Sequence, residues 1–342
     1  MQGQFDKNKR RSARLHAKSE SASLKTLLEM PLMGLGTFIG MEADQIADPI
    51  ERNKITTDSI FNALAIGYRH LDLAENYGNL DAVSTALKKA CQPKSVGGLG
   101  IERKDIWLTM KANAPFSNDH IVSLLKQMGV EYFDLFLIHH STSSIFDSEK
   151  SLLEAWGNLC QIEKSKLNRI GVSNCYEPHL ERLLALCEGE HLTKPYANEV
   201  ELNLNTNNVS LVKYCKQHEI KMIAYSPLGY NMSMSLLENP ILNTLATKIK
   251  ATPAQTALAK LMSNDIAVIP KSSNKAHLVE NFQSQDFILP VQQNATLCSL
   301  LDANVGEENE AVTETAISSK KHAQSLEWKV ETTVLPVKKG NY

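Results

Sequence analysis

The chain has 342 residues, of which 43% are hydrophobic, and its formal net charge is −2. This length fits one large or two ordinary domains, and the apolar fraction suffices for a sizeable core. The near-neutral charge gives no overall attraction to nucleic acid or to an anionic membrane, so we expect neither as a partner. No apolar run approaches the ~18 residues of a membrane-spanning helix.

The cysteines are scattered along the chain without a C-x-x-C pair. This pattern indicates reduced thiols in a cytosol rather than a disulfide framework or a zinc site. We therefore expect a cytoplasmic protein without a bound metal. The oligomeric state does not follow from the sequence, and a monomer is the default expectation. The six cysteines are Cys91, Cys160, Cys175, Cys187, Cys215 and Cys298.

Residues 1–25 differ in composition from the rest of the chain. Seven basic residues face two acidic ones there, a formal charge of +5, with little apolar content. No apolar core of a signal peptide is visible. The composition predicts a basic, disordered tail, with a targeting or docking role as the alternative.

From Met30 onward, short apolar stretches alternate with stretches of helical periodicity. The predicted strands cover residues 31–38, 68–73, 105–110, 134–138, 168–172, 196–202, 220–225 and 265–269. The predicted helices cover residues 57–66, 80–90, 119–128, 150–164, 177–186, 209–218, 242–250, 253–262 and 275–282.

Eight strands, each followed by a helix, predict an α/β fold of the closed (β/α)8 TIM-barrel type. Several of the strands are almost continuously apolar, as strands buried on both faces are. An open, doubly wound sheet is the alternative. The absence of a G-x-G-x-x-G motif after the first strand disfavours it.

Polar residues follow seven of the eight predicted strands. Catalytic groups of such barrels come from the carboxyl ends of the strands and the loops after them. Each residue alone has an ordinary explanation as a helix cap, a core imidazole or a solvated lysine. Seven such explanations holding together at one face are much less credible. The candidates are Asp72 with Tyr77, Lys111, His139 with His140, Ser173 with Asn174, Glu199 with Asn198, Tyr225 to Gly229, and Lys271 to Asn274.

Four of these candidates suggest a proton-transfer site. A lysine ammonium beside a tyrosine stabilises the phenolate, so Lys111, oriented by Asp72, predicts a lowered pKa for Tyr77. Such a phenol donates a proton to a carbonyl oxygen and accepts one in the reverse reaction. His139 is placed to orient or polarise the same oxygen. No metal-ligand spacing and no activated serine or cysteine stands out.

The same stretches resemble the aldo-keto reductase family over roughly residues 30–290. Six motifs match in the right order, at residues 33–37, 67–78, 137–139, 171–174, 224–229 and 269–272. The resemblance implies a catalytic tetrad of Asp72, Tyr77, Lys111 and His139, in which Tyr77 is the general acid. It also implies a small carbonyl substrate.

The resemblance further implies a nicotinamide cofactor, NADPH in preference to NADH, lying across the barrel mouth. Ser173, Asn174 and Glu199 would hold the carboxamide, and Tyr225 would stack on the ring. Ser226 and Leu228 would lie along the pyrophosphate. Lys271 and Ser272 would meet the adenosine 2′-phosphate, with His277 beside them and with Glu280 and Asn281 at the adenine.

Several positions depart from the family pattern. Glu199 stands where the family usually has glutamine, which brings a carboxylate toward the cofactor. His277 replaces an arginine, and losing that bidentate cation weakens the preference for NADPH that Lys271 retains. His140 and Ser141 replace a Trp-Pro pair, and the segment 112–118 is short and lacks the aromatic residue that the family usually has there. The last two changes alter the expected substrate pocket.

The resemblance fades after residue 290. We predict one barrel domain over residues 26–301, including a closing helix at 291–301, between the tail 1–25 and an atypical extension at 302–342. Two functions stay open: reduction of an aldehyde or ketone, and a cofactor-binding regulatory or interaction protein with little turnover. The tetrad favours the first, and the changes at Glu199 and His277 favour the second. An unrelated barrel isomerase or lyase has little support.

Overall fold

The protein is described by a computed structural model over residues 29–38, 46, 48–141, 145–206, 208–229, 236–287 and 289. The predicted tail at 1–25, the closing helix at 291–301 and the extension at 302–342 lie outside the described residues. The boundaries of the barrel domain therefore stay predictions.

Eight parallel strands pair in sequence order. The ring closes between the first and last strands, where the Gly34 N–H donates to the Val268 carbonyl at 2.8 Å and the Val268 N–H donates to the Leu32 carbonyl at 2.7 Å. The predicted (β/α)8 barrel is thus confirmed. The strands are β1 Leu35–Gly36, β2 His70–Ala74, β3 Trp107–Ala112, β4 Leu135–Ile138, β5 Ile170–Ser173, β6 Ala197–Glu201, β7 Lys221–Tyr225 and β8 Ile266–Val268.

Helices cover the outside of this ring. They are α1 Pro49–Ile66, α2 Leu80–Cys91, α3 Asn118–Met128, α4 Glu149–Gln161, α5 Glu177–Gly189, α6 Val209–Gln217, α7 Pro240–Ile249, α8 Pro253–Met262 and α9 Lys275–Gln283. None of the described helices combines the length and the apolar character needed to cross a membrane.

Helix α1 starts well before the predicted residue 57. The Asp48 side chain accepts from the Ile50 N–H at the N-cap, and Pro49 occupies the first turn, which together start the helix there. The added turns are mostly exposed and polar. The apolar periodicity used for the prediction begins only where the helix reaches the barrel.

The first strand is shorter than predicted. Only Leu35–Gly36 forms β1, and Met33 makes a single bridge to Val268. A Cβ at Gly36 would lie 2.8 Å from the Ile269 carbonyl oxygen. Glycine is therefore required where the first strand approaches the end of the eighth.

Strand β2 extends past its predicted end to Ala74, which pairs with Lys111 of β3. Asp72 consequently lies inside a fully buried strand rather than at its terminus. An apolar cluster that includes Trp107, Leu137 and Ile223 packs apart from the main layer between strands and helices. The polar groups at the strand ends thus lie next to a closely packed hydrophobic cluster.

A chain of hydrogen bonds ties β2 and β3 to the segment that precedes β1. The Trp107 Nε1–H donates to Thr109 Oγ1 at 3.0 Å, and Thr109 Oγ1 lies 3.0 Å from His70 Nε2. His70 Nδ1 lies 3.0 Å from the Pro31 carbonyl, which only accepts, so Nδ1 carries the proton and Thr109 donates to Nε2. Burial lowers the pKa of His70 to about 4, which keeps the ring neutral at physiological pH.

We expect Thr109→Val to lower the free energy of unfolding by about 2–4 kcal/mol, because the Trp107 indole and the His70 ring each lose a buried partner. Thr109→Ser keeps the hydroxyl and is expected to cost only about 1 kcal/mol for the deleted methyl group. Chemical denaturation of both variants measures the difference. Equal losses in the two variants would show that the hydroxyl does not link these rings.

Candidate active site

A buried lysine lies at the centre of the barrel mouth. Lys111 on β3 contacts Asp72 Oδ2 on β2 through its ammonium, and the same Nζ lies 2.8 Å from Glu199 Oε1 on β6. The side chains of all three residues are at most 2% exposed. Three strands that are distant in sequence thus direct charged groups to one point. The contact of Lys111 with Glu199 was not predicted from the sequence.

The charges of this cluster act on one another strongly. Burial opposes the ammonium, but the negative charges of Asp72 and Glu199 prevail and hold the pKa of Lys111 well above its usual value. Burial, and next the charge of Glu199, raises the pKa of Asp72 far above the normal range, although Lys111 acts against this. Asp72 Oδ1 and Glu199 Oε2 are buried and have no hydrogen-bond partner among the described residues.

Tyr77 reaches this cluster from a short 3-10 turn, Glu75–Tyr77, directly after β2. Gly78 closes the turn with φ at 65°, a conformation that favours glycine. The Lys111 Nζ lies 5.3 Å from the centre of the Tyr77 ring. Burial raises the pKa of Tyr77, and the charge and hydrogen bond of Lys111 only partly offset this rise. The prediction of a lowered pKa was therefore wrong, because it considered Lys111 and not burial.

His139 follows β4 and packs edge-on against the Tyr77 ring, with ring centres 5.8 Å apart and planes at 79°. Burial, and then the charge of Lys111, lowers the pKa of His139 to about 2, so the imidazole is neutral. Its Nδ1 is buried and has no partner among the described residues. The His140 ring stacks on the His139 ring, with the ring centres 4.1 Å apart. The structure thus brings Asp72, Tyr77, Lys111 and His139 together.

Strands β5 to β7 add a hydrogen-bonded group beside His139. The Tyr225 hydroxyl donates to Asn174 Oδ1 at 2.9 Å, and the Asn174 Nδ2–H donates to the His139 carbonyl at 3.0 Å. Ser173 Oγ donates to the Glu199 carbonyl at 2.9 Å. Asn174 has φ at 58°, a left-handed conformation that asparagine tolerates. These bonds join the ends of neighbouring strands around the mouth.

Ser226 and Leu228 follow β7 directly. Ser226 also has a positive φ, 47°, and its carbonyl accepts from the Gly229 N–H at 2.9 Å. Leu228 is half-buried and packs on the core. The predicted pair therefore forms a tight turn beyond the strand that carries Tyr225.

A shallow cleft, open to solvent, lies between the ends of β1 and β8 and helix α1. Lys271, Ser272 and Ser273 line one side, and Gly36, Thr37 and Ser59 are among the residues that line the other. The Ser59 hydroxyl donates to the Ser272 carbonyl at 2.7 Å and joins the two sides. The predicted Lys271 and Ser272 thus border an open space.

The three predicted residues of α9 lie near this cleft in sequence but do not line it. His277 is exposed, Glu280 is half-buried, and Asn281 is buried. The Glu280 carbonyl accepts from Gln255 Nε2 at 3.2 Å, and the Asn281 carbonyl accepts from the Ser284 hydroxyl at 2.6 Å. These contacts of the Glu280 and Asn281 backbone hold α9 to its neighbours in the fold.

Sequence reasoning missed two residues at the mouth. The Phe38 ring lies 5.0 Å from the Tyr77 ring and is 46% exposed. Thr37 donates its hydroxyl to the Asp72 carbonyl at 2.8 Å, and Asn79 Nδ2 donates to the Thr37 carbonyl at 2.7 Å. Thr37 and Phe38 both follow β1, the one strand that the sequence analysis left out of its list of candidate site residues. Position after a barrel strand was the available signal.

Within the described residues, no group of three or more His, Cys, Asp or Glu side chains is arranged to hold a metal ion.

Comparison with protein families gives one match that covers most of the chain. The model of the Aldo/keto reductase family matches residues 33–302. A 9,11-endoperoxide prostaglandin H2 reductase of Trypanosoma cruzi is 30% identical over 79% of this chain and 88% of its own length. Aldo-keto reductase family 1 member C15 of Rattus norvegicus is 31% identical over 82% and 91%.

Solved structures give the same result. An aldo-keto reductase named MGS-M4, from a Medee basin deep-sea metagenome library, has a TM-score of 0.68 and 31% identity, over 80% of this chain and 92% of that one. An aldo-keto reductase solved as a complex with NADPH has a TM-score of 0.67 and 26% identity, over 80% of this chain and 84% of that one.

We expect Lys111→Met to lower the free energy of unfolding by about 3–5 kcal/mol at neutral pH, because two buried carboxyl groups lose their cation. The loss is expected to shrink in acid, where the Asp72 carboxyl group, whose pKa is raised by burial, is protonated. Lys221→Met, which removes a half-exposed pair with Asp265, is the control and is expected to cost less than about 1 kcal/mol. Denaturation at two pH values measures both; a loss independent of pH would contradict the charge argument.

Proposed function

Since the chain belongs to the aldo/keto reductase family and is an oxidoreductase, we propose that it uses NADPH to reduce an aldehyde or ketone to an alcohol, with Tyr77 as the general acid. The observation that carries this proposal is the meeting of Tyr77 with Lys111 and His139 at the barrel mouth. The Lys111 ammonium lies 5.3 Å from the Tyr77 ring centre, and the His139 ring packs on its edge.

Tyr77 supplies the proton. Its raised pKa keeps the phenol protonated at physiological pH, the state that a proton donor must be in. As the proton leaves for the carbonyl oxygen, the phenolate that forms is stabilised by the Lys111 ammonium. A bound reduced nicotinamide supplies the hydride that the carbonyl carbon accepts. Asp72 holds Lys111 in place for this role.

His139 orients the carbonyl oxygen. A pKa of about 2 excludes a charged imidazolium at physiological pH, so the ring offers one N–H as a hydrogen-bond donor and does not compete with Tyr77 as an acid. Phe38 and His140 flank Tyr77 and His139 at the rim. An aromatic and an imidazole ring therefore border the space for a small carbonyl substrate.

The cofactor site is argued from the polar groups around the mouth. Lys271 and Ser272 border an open cleft where a cation and hydroxyl groups suit a phosphate, and we assign the 2′-phosphate to them. Ser173, Asn174 and Glu199 are assigned to the carboxamide, Tyr225 to the ring, and Ser226 with Leu228 to the pyrophosphate. His277, Glu280 and Asn281 are assigned to the adenosine end. The structural relative solved with NADPH supports this choice over NADH.

We also propose that the protein acts in the cytoplasm as a monomer. The five cysteines within the described residues are free thiols, which fits a reducing compartment.

Tyr77→Phe is expected to lower kcat for aldehyde reduction by about 10²–10⁴-fold while leaving NADPH binding intact, because only the proton donor is removed. Loss of NADPH absorbance with a panel of small aldehydes measures turnover, and fluorescence titration measures binding. Tyr214→Phe makes the same change on α6, where the ring stacks on His218, and is the control. Undiminished turnover in Tyr77→Phe excludes Tyr77 as the acid. NADPH binding without turnover in the wild type would favour the regulatory function instead.

His277→Arg is expected to tighten NADPH binding about tenfold, because an arginine restores a bidentate cation for the 2′-phosphate. NADH lacks this phosphate, so its affinity is expected to stay unchanged and serves as the control. Calorimetric titration of both cofactors measures the effect. An unchanged NADPH affinity would show that the 2′-phosphate does not lie next to residue 277.

A further inference from the structure

The cluster around Lys111 holds one more carboxyl group than the ammonium can balance. Asp72 and Glu199 approach the same Nζ from opposite strands of the barrel, Asp72 through Oδ2 and Glu199 through Oε1 at 2.8 Å. Their other oxygens, Oδ1 and Oε2, are buried without any hydrogen-bond donor among the described residues. If both carboxyl groups were ionised, a net negative charge and two unpaired oxygens would be buried together, which is costly.

A single proton resolves both problems. Protonation of one carboxyl group makes the cluster neutral and turns one oxygen into an O–H donor for the other carboxylate. The pKa of Asp72 agrees in direction: burial raises it first, the charge of Glu199 raises it next, and a hydrogen bond between the two carboxyl groups raises it further.

We propose that Asp72 and Glu199 share one proton at neutral pH, and that Glu199 is a positioning residue that biases the enzyme toward carbonyl reduction and against alcohol oxidation. The proposal rests on the proposed role of Tyr77 as the acid. In addition to its assigned contact with the carboxamide, Glu199 acts on Tyr77 through Lys111 and the charge of the cluster. It occupies the position where the family resemblance calls for glutamine, which carries no charge.

The bias follows from charge. Reduction needs the Tyr77 phenol, which gives its proton to the carbonyl oxygen and regains one from solvent. Oxidation needs the Tyr77 phenolate, which would take the proton of the alcohol while an oxidised nicotinamide accepts the hydride from the carbon. When the carboxyl pair loses its proton at high pH, the added negative charge disfavours the phenolate. Oxidation in this protein therefore starts at a higher pH than in a protein with a neutral residue 199.

Among the residues that the structure describes, the titratable groups at this mouth come from five strands and the loops after them. His70 and Asp72 come from β2, Tyr77 from the turn after it, Lys111 from β3, His139 and His140 from the loop after β4, Glu199 from β6 and Tyr225 from β7. The low pKa of His139 and the lowered pKa of His140 keep both imidazoles neutral above pH 7. They therefore do not contribute to a change in charge on the alkaline side.

The first experiment compares pH profiles of kcat for both directions in the wild type and in Glu199→Gln. Glutamine keeps the size and hydrogen-bonding capacity of the side chain and removes its charge. The alkaline onset of alcohol oxidation is expected to move down by about one pH unit, with a parallel fall in the upper limb of reduction. Glu201→Gln makes the same change at a buried position two residues along the strand, and its profile is expected to match the wild type.

The second experiment needs neither cofactor nor turnover. Infrared spectra of the cofactor-free protein are expected to show the C=O stretch of a protonated, buried carboxyl group at pH 7. This band is expected to disappear at high pH and to be missing in Glu199→Gln, where Asp72 alone balances Lys111. The titration of the wild-type band decides the question even if the variant does not fold.

The outcomes separate the two proposals. A missing carboxyl band at pH 7, or superimposable pH profiles of the wild type and Glu199→Gln, overturns the role of Glu199 and leaves the reductase proposal standing. Wild-type turnover that does not depend on Tyr77 overturns the reductase proposal, and the infrared band then still tests whether the proton is shared.

Discussion

The barrel mouth depends on one ammonium group that has no access to water. Lys111 is 1% exposed, and a lysine in that position stays charged only if negative groups surround it. Asp72 from β2 and Glu199 from β6 supply them, so a single charge joins strands on both sides of the barrel. The other polar groups of the mouth are arranged around this contact. Tyr77 lies over the ammonium, and His139 packs on Tyr77.

Such a cluster keeps its geometry only on a rigid support. The hydroxyl of Thr37 fixes the backbone at Asp72, and the Asn79 side chain fixes Thr37 in turn. The end of β1, the middle of β2 and the loop that carries Tyr77 are thereby held together. Deeper in the barrel, the neutral His70 ring of β2 bonds to Thr109 of β3 and to the Pro31 carbonyl before β1. These hydrogen bonds are buried. Removing one partner therefore lowers the free energy of unfolding more than removing a partner of an exposed hydrogen bond would.

Sequence reasoning reached the fold and the candidate residues because both follow from local patterns. Alternating strands and helices predict the barrel, and the barrel predicts that residues after strands, such as Asp72 and His139, share one face. Sequence reasoning failed for properties that depend on distances between residues and on solvent exposure. The pKa of Tyr77 is raised because burial outweighs Lys111, and neither quantity is visible in a linear pattern. The contact of Glu199 with Lys111 joins strands from distant parts of the chain, and no spacing rule predicts it.

Burial and one positive charge together divide the work between Tyr77 and His139. Burial disfavours the charged form of each group, so it raises the pKa of the phenol and lowers that of the imidazole. The Lys111 charge lowers both pKa values: it eases proton release from Tyr77 and further excludes an imidazolium at His139. The result is one proton donor and one neutral hydrogen-bond donor side by side, the separation of roles that acid catalysis on a carbonyl requires. The carboxyl group of Glu199 opposes the effect of Lys111 on Tyr77, since its negative charge disfavours the phenolate and raises the pKa of the phenol.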